Sequence, residues 1–247
     1  MKELEFNQDI SQSFVNGTMA GFTDYVKRRN QDSRDLIVSR GGAWMKGNFI
    51  DNAVANEVKK LGNFNYQIKM AGYSWEYLQF SYYDKQSDIV NNVILKNYKT
   101  LTNSISNRNN KLPDYLAHDS VGNIDILKEH KEKIHATGQA VQLELLPQIS
   151  TSKEKLSKTN SSRFYVVGYS LGQDGGIESL KLLMPNPVTN SLVEIEDWKE
   201  YIAEAPIQPN PDDLNLFQDE KNIPEAQYDD TSNMKYEIAD NAEEKDN

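Results

Sequence analysis

A helix followed at once by two aromatic strands constrains this chain more than any other stretch. Ile50, Val54, Val58 and Leu61 recur at helical spacing, which lines four aliphatic side chains along one stripe and leaves Asn52, Asn56, Lys59 and Lys60 outside it. Asn48 is placed to cap this helix, Asp51 to answer the cap from the third position, and Gly62 to stop it beyond the last turn. Asn63 to Met70 and Glu76 to Tyr83 follow as β-prone runs rich in Tyr, joined across residues 71–75, and read as an antiparallel hairpin. A helix leading into two adjacent paired strands excludes a regular alternation of strands and helices here.

The same segregation runs through the rest of the chain. Asp9 to Asn30 carries a helical stripe of Ile10, Phe14, Phe22, Tyr25 and Val26, interrupted by Gly17 and Gly21. Ser87 caps a predicted second helix that runs through Ile89, Val90, Val93, Ile94, Leu95, Tyr98 and Leu101 to about Asn103. A charged helix is expected over Ile124 to Ile134 and a strand over Gln139 to Ile149, followed by a polar connection. Phe164 to Leu171 and Ile177 to Met184 form a second hairpin around Gly172-Gln173-Asp174-Gly175-Gly176, ended by Pro185 and Pro187. Ser191 to Ile195 adds a strand, and Glu196 to Ala203 a short helix whose acidic start suits the positive end of its dipole. The expected class is α+β, a mainly antiparallel sheet with packed helices.

Charge divides the chain. From Tyr201 onward 13 Asp and Glu face 3 Lys, whereas Met1 to Glu200 holds 24 of each sign, so the whole formal charge of −10 lies in the last fifth. Pro206, Pro209, Pro211 and Pro224 and a shortage of aliphatics mark residues 205–247 as an acidic tail that cannot bury enough surface to offset its ordering entropy. Interaction patches within it are read at residues 214–217 and 236–238. The organisation expected is a globular domain over 1–204, with a sub-boundary near 103–112, and a disordered tail over 205–247. The absence of cysteine excludes disulfides, thiol nucleophiles and cysteine metal sites. With no apolar leader and no run approaching about 18 apolar residues, the chain reads as cytoplasmic and soluble.

Two motifs invite an enzymatic reading. Gly168-Tyr169-Ser170-Leu171-Gly172 spells the G-x-S-x-G of a nucleophile elbow, which needs a helix after the serine and a histidine later in the chain. A glycine turn and another strand follow instead, and His118, His130 and His135 all precede Ser170, which is therefore read as a strand residue. Glu57 on the helix and Gln67-Ile68-Lys69 on the next strand resemble part of a PD-(D/E)xK nuclease site, in which carboxylates hold Mg²⁺ and the lysine steadies charge on the attacked phosphate. Asp51 has the right order but is explained by capping, and Asp84 follows Lys69 where it ought to precede it. No cofactor is otherwise expected, and the spacing of His130 and His135 puts them on different sides of a helix.

The remaining signal is basic and aromatic. Val26 to Lys69 carries 9 Lys and Arg against 4 Asp and Glu, and Trp44, Tyr73 and Trp75 lie within or beside it. Cations neutralise phosphates and aromatic rings stack on unpaired bases, which is the basis of single-strand recognition. The binding residues expected are Arg28, Arg29, Arg40, Trp44, Lys46, Lys69, Tyr73 and Trp75. Arg40, Lys46 and the glycines between them, set before the helix, also read as an anion seat at its N-terminus.

The Arg-Gly-Gly-Ala-Trp segment from Arg40 to Trp44 and the Glu-Ile-Glu-Asp-Trp-Lys-Glu-Tyr-Ile segment from Glu194 to Ile202 resemble patterns in uncharacterised proteins of phages and mobile elements of low-GC Gram-positive bacteria. The resemblance implies a small intracellular accessory protein acting in phage–host conflict. The function expected is thus a non-enzymatic binding or regulatory protein that contacts nucleic acid, single strands above all, or a protein that handles it. The alternatives are a divergent Mg²⁺-dependent nuclease using Glu57, Gln67 and Lys69, and an inhibitor of a host defence protein whose acidic tail mimics nucleic acid.

Overall fold

The computed structural model describes residues 3–71, 75–85, 87–129, 136–137 and 162–214. Its frame is a seven-stranded sheet. The strands are β1 (Phe64–Ala71), β2 (Trp75–Asp84), β3 (Ile89–Asn97), β4 (Ala136–Thr137), β5 (Ser162–Leu171), β6 (Ile177–Asn186) and β7 (Ser191–Asp197), in the order β1-β2-β3-β5-β6-β7-β4. Every neighbouring pair is antiparallel except β3 and β5, which run parallel with Val90 beside Ser162 and Asn97 beside Tyr169. Two antiparallel meanders are therefore joined edge to edge by one parallel seam, and the fold is α+β.

Helices cover both faces. On one side α1 (Gln8–Asp35) and α2 (Lys46–Lys59) form an antiparallel hairpin. Gly17 and Gly21 let it close: a Cβ on Gly17 would sit 2.5 Å from Val54 Cα, and one on Gly21 2.5 Å from Phe49 O. The residues that interrupt the apolar stripe of α1 are thus where α2 rests on it. Phe80, Tyr82, Val93, Leu95, Tyr165, Val167, Leu180 and Leu182 meet these helices, and Trp198, wholly buried, closes this core together with Phe6 and Phe14. On the other side Tyr77, Ile94, Phe164, Val166 and Leu183 pack against Leu101, Leu112 and Leu116 of α3 (Tyr98–Asn107), α4 (Asp114–Asp119) and the segment between them. The strict alternation of these two sets along each strand is the pleat of a sheet buried on both faces.

Two polar side chains pin distant segments. Asn123, at the start of α5 (Asn123–Glu129), is fully buried; its Nδ2 donates to the carbonyls of Phe164 and Pro185 and its Oδ1 accepts from Phe164 N, each at 2.9 Å. Asn30 on α1 donates to Asp213 O at 3.2 Å, beside the buried Leu214 of α7 (Pro211–Leu214), which follows α6 (Lys199–Glu204). Ordered packing thus extends to Leu214, beyond the boundary expected at residue 204; residues 215–247 lie outside the described residues. No helix among the described residues is long and apolar enough to cross a membrane.

Several local expectations change. The helix foreseen from Ser87 to Asn103 is instead β3 followed by α3, with Asn97 Oδ1 capping the helix through Thr100 N at 3.0 Å. Val93, Ile94 and Leu95 are all buried, so a strand covered on both faces mimics the broad apolar side of a helix. Pro185 lies inside β6, paired with Leu192, and Glu196 belongs to β7 and not to a helix start. Burial, helped by the charge of Glu5, raises the Glu196 carboxyl above its ordinary value, against the lowering influence of the neighbouring Trp198, Phe6 and Ser11 donors. The helix expected over Ile124 to Ile134 is described only to Glu129, and the strand expected over Gln139 to Ile149 lies outside the described residues.

Candidate functional site

The connection between α1 and α2 is built from beneath. Arg29, only 4% exposed, turns inward and donates from Nη1 to Ser39 O at 2.6 Å. Gly42 lies over the same guanidinium, where an added Cβ would meet Nη1 at 2.8 Å. Tyr25 donates from its hydroxyl to Ala43 O at 3.5 Å, and Lys46 Nζ stands 5.6 Å from the Tyr25 ring centre. These anchors hold residues Arg40–Met45 as a 3₁₀ turn that displays Arg40 and Trp44, the latter 47% exposed, to solvent. Lys27, Arg28 and Arg34 at the end of α1 are exposed too, with Arg28 Nε 3.0 Å from Asp32. Arg29 is therefore corrected from a binding residue to an internal clamp, because its charge is spent on a backbone carbonyl. Leu36, Ile37 and Val38, an apolar run in the sequence, form no strand and stand exposed after the helix.

The anion seat changes as well. The 3₁₀ turn runs directly into α2, which begins at Lys46 with Met45 as its N-cap, so the glycines are themselves helical and do not form a loop facing a free helix end. Asn48 and Asp51 fall inside the helix. Asp51, 9% exposed, reaches the sheet and accepts a hydrogen bond from Leu78 N at 2.9 Å. Burial raises its pKa from 3.8 to about 7, against the lowering effects of that hydrogen bond and of the Lys96 charge. Nothing in the local sequence marks this partner, which is distant along the chain. Lys96 was likewise missed: its ammonium lies 4.8 Å from the ring centre of Tyr77 and 5.1 Å from that of Tyr115.

The sheet divides the predicted site. Lys69 is paired with Tyr77 across β1 and β2, and Tyr77 belongs to the core beneath α3 and α4, so Lys69 lies on the face opposite α1 and α2. Arg28, Arg40, Trp44 and Lys46 stay together on the helical side. Tyr73 lies outside the described residues, and Trp75 opens β2. The same division separates the nuclease candidates: Glu57 is on α2, 2.6 Å from Lys60 Nζ, while Gln67 and Lys69 share the far face of β1. Asp51, engaged with Leu78, does not join them. Among the described residues no cluster of His, Asp and Glu is arranged to hold a metal ion. Ser170 sits within β5, paired with Ser179, as its reading as a strand residue requires.

What the arrangement offers is an exposed indole and an exposed guanidinium on one turn whose backbone is held from below. No family model, curated protein or solved structure matches this chain.

Proposed function

We propose that the protein binds nucleic acid, single strands in preference, on the connection between α1 and α2. The observation that carries the reading is the display of Trp44 and Arg40 on a turn fixed by the buried Arg29. An exposed indole on a fixed turn stacks on an unpaired base, and Arg40, with Lys27, Arg28 and Arg34 nearby, supplies charge for the phosphates. Lys69, on the other face of the sheet, is left out of this surface. The setting that the sequence resemblance implies, an accessory protein of a phage or mobile element, belongs to the same proposal.

The test is a fluorescence-anisotropy titration of the full-length chain into labelled single- and double-stranded DNA and RNA at two salt concentrations. Salt-sensitive binding that favours single strands is expected, with Trp44→Ala costing about 1–3 kcal/mol. Arg40→Ala should weaken binding to all sequences alike and lower the salt slope by about 1. Absence of any salt-sensitive binding would overturn the proposal, as would binding that ignores both substitutions.

A further inference from the structure

Among the described residues, one edge of the sheet is open. β1 pairs with β2 alone, and the other edge is the two-residue β4. Natural edge strands are shortened, bulged, interrupted by proline or charged, because a row of unpaired amides and carbonyls invites another strand. β1 keeps an unbroken register with β2 over all 8 of its residues, contains no proline, and carries Lys69 as its one charge. On the face that continues the helical core, Tyr66, Ile68 and Met70 are 56%, 64% and 49% exposed.

The direction of its free groups follows from Asp51. Leu78 N donates to Asp51, away from β1, so Leu78 and its partner Ile68 form a non-hydrogen-bonded pair. The amide and carbonyl of Ile68 consequently point outward, as do those of Tyr66 and Met70 two residues to either side. The groups that can accept a new strand thus belong to the three residues whose apolar side chains are uncovered.

We infer that β1 is a homodimer edge: two copies of this chain join by antiparallel β1–β1 pairing into one continuous sheet. The strand is self-complementary in this arrangement. A two-fold axis through Gln67 or Ile68 sets Lys69 of one copy against Asn65 or Gln67 of the other and keeps Tyr66, Ile68 and Met70 of both on one face. Only an axis at Lys69 itself brings like charges together. Because α2 packs over β2 with β1 and β3 on either side, two copies of α2 would stand about 14 Å apart, beyond the roughly 8–10 Å of direct helix packing. The exposed side chains of both β1 strands would fill that trough. A contact of this kind is smaller than a standard interface of about 1,600 Å², so a weak, concentration-dependent dimer is expected.

Full-length protein should pass from monomer to dimer over the micromolar range in sedimentation or light scattering, and Ile68→Lys should hold it monomeric. Since the chain has no cysteine, Gln67→Cys and Ile68→Cys each introduce a sole thiol. Under mild oxidation one of them should form a disulfide dimer at least 10-fold faster than Glu178→Cys, an exposed control on β6, and the faster variant reads the register. A chain that stays monomeric at all concentrations overturns the inference, as does a dimer indifferent to Ile68→Lys or a cross-linking rate no greater than the control. A monomer whose β1 amides nevertheless resist hydrogen exchange would give the edge to another strand, the chain's own residues 138–161 and 215–247 included, and would equally overturn it.

Discussion

The Asp51 carboxylate accepts the Leu78 amide at 2.9 Å, tying α2 to the point where β2 parts from β3. Burial is the main reason that its pKa rises from 3.8 to about 7, so between those values the folded chain holds a proton that the unfolded chain has released. Stability from this site is full below the lower value and falls as pH rises through the upper one, by up to about 1.4 kcal/mol per pH unit. Asp51→Asn keeps an acceptor and cannot ionise. In urea unfolding at about pH 5 and about pH 8, the variant should gain on the parent at the higher pH; identical pH profiles would show that Asp51 does not titrate in this window.

The crossing of α1 and α2 should tolerate no added carbon. Gly17→Ala and Gly21→Ala place a methyl 2.5 Å from Val54 Cα and 2.5 Å from Phe49 O. Overpacking costs about 1–3 kcal/mol, which outweighs the roughly 1 kcal/mol gained in helix propensity. Gly41→Ala, with nothing within 4 Å of the new atom, is the control and should shift the melting temperature little. A Gly17→Ala protein that melts higher than the parent would refute the close-approach argument.

Arg29→Ala leaves Ser39 O without its guanidinium donor, a loss of about 1.5–3 kcal/mol for a charge-assisted bond. Because the bond holds a surface connection, the effect should be local. Chymotrypsin should cut at Leu36 or Trp44 roughly 10-fold faster or more, with the global unfolding transition moved less than the cleavage rate implies. Cleavage at the parental rate would mean that other contacts fix the turn.

Asn123→Ala strips partners from Phe164 N, Phe164 O and Pro185 O at once. With buried unsatisfied groups costing about 1–3 kcal/mol each, a loss of at least 3 kcal/mol is expected in chemical denaturation. Asn123→Asp keeps the acceptor, forfeits both donated bonds and buries a carboxyl, and it should rescue little. A loss below about 1 kcal/mol in the alanine variant would mean that water replaces the side chain.

Removing residues 215–247 keeps every buried side chain of the described core, Leu214 included, and should tighten nucleic-acid binding at low salt if the acidic segment competes with phosphate. Ending the chain at residue 204 also removes the buried Ala205 and Leu214, at a cost of about 2–3 kcal/mol. Unchanged affinity in the chain that ends at Leu214 would rule out autoinhibition by residues 215–247.

Elements whose evidence is local were legible in the sequence. The 3.6-residue stripe of α1, the stop at Gly62, and the two hairpins β1–β2 and β5–β6 each rest on a pattern contained within one segment. β3 was not legible, because a strand buried on both faces has no alternation to read and its parallel partner β5 lies far along the chain. Asp51 shows the same limit at one residue, since a carboxylate in a first turn looks like a cap until the sheet supplies a buried amide. The layout of the candidate site was half legible: residue types picked out Arg40 and Trp44, which the fold leaves exposed on one turn, but only packing could turn Arg29 inward and set Lys69 on the other face.

The lone parallel seam between β3 and β5 has a further consequence. α2 covers the first meander, while α1 reaches both sides: Phe14 meets Phe64 of β1 and Phe80 of β2, and also Trp198, with Gln12 Nε2 donating to Tyr201 O at 3.2 Å and Asn30 donating to Asp213 O in the segments that follow β7. The N-terminal helical hairpin thus clasps both halves, and each half depends on it for a covered face. A cut between β3 and β5 would leave α1 and α2 with the first meander and strip the second of its cover, so the second fragment would regain a buried face by recombining with the first, which is the arrangement that fragment complementation exploits.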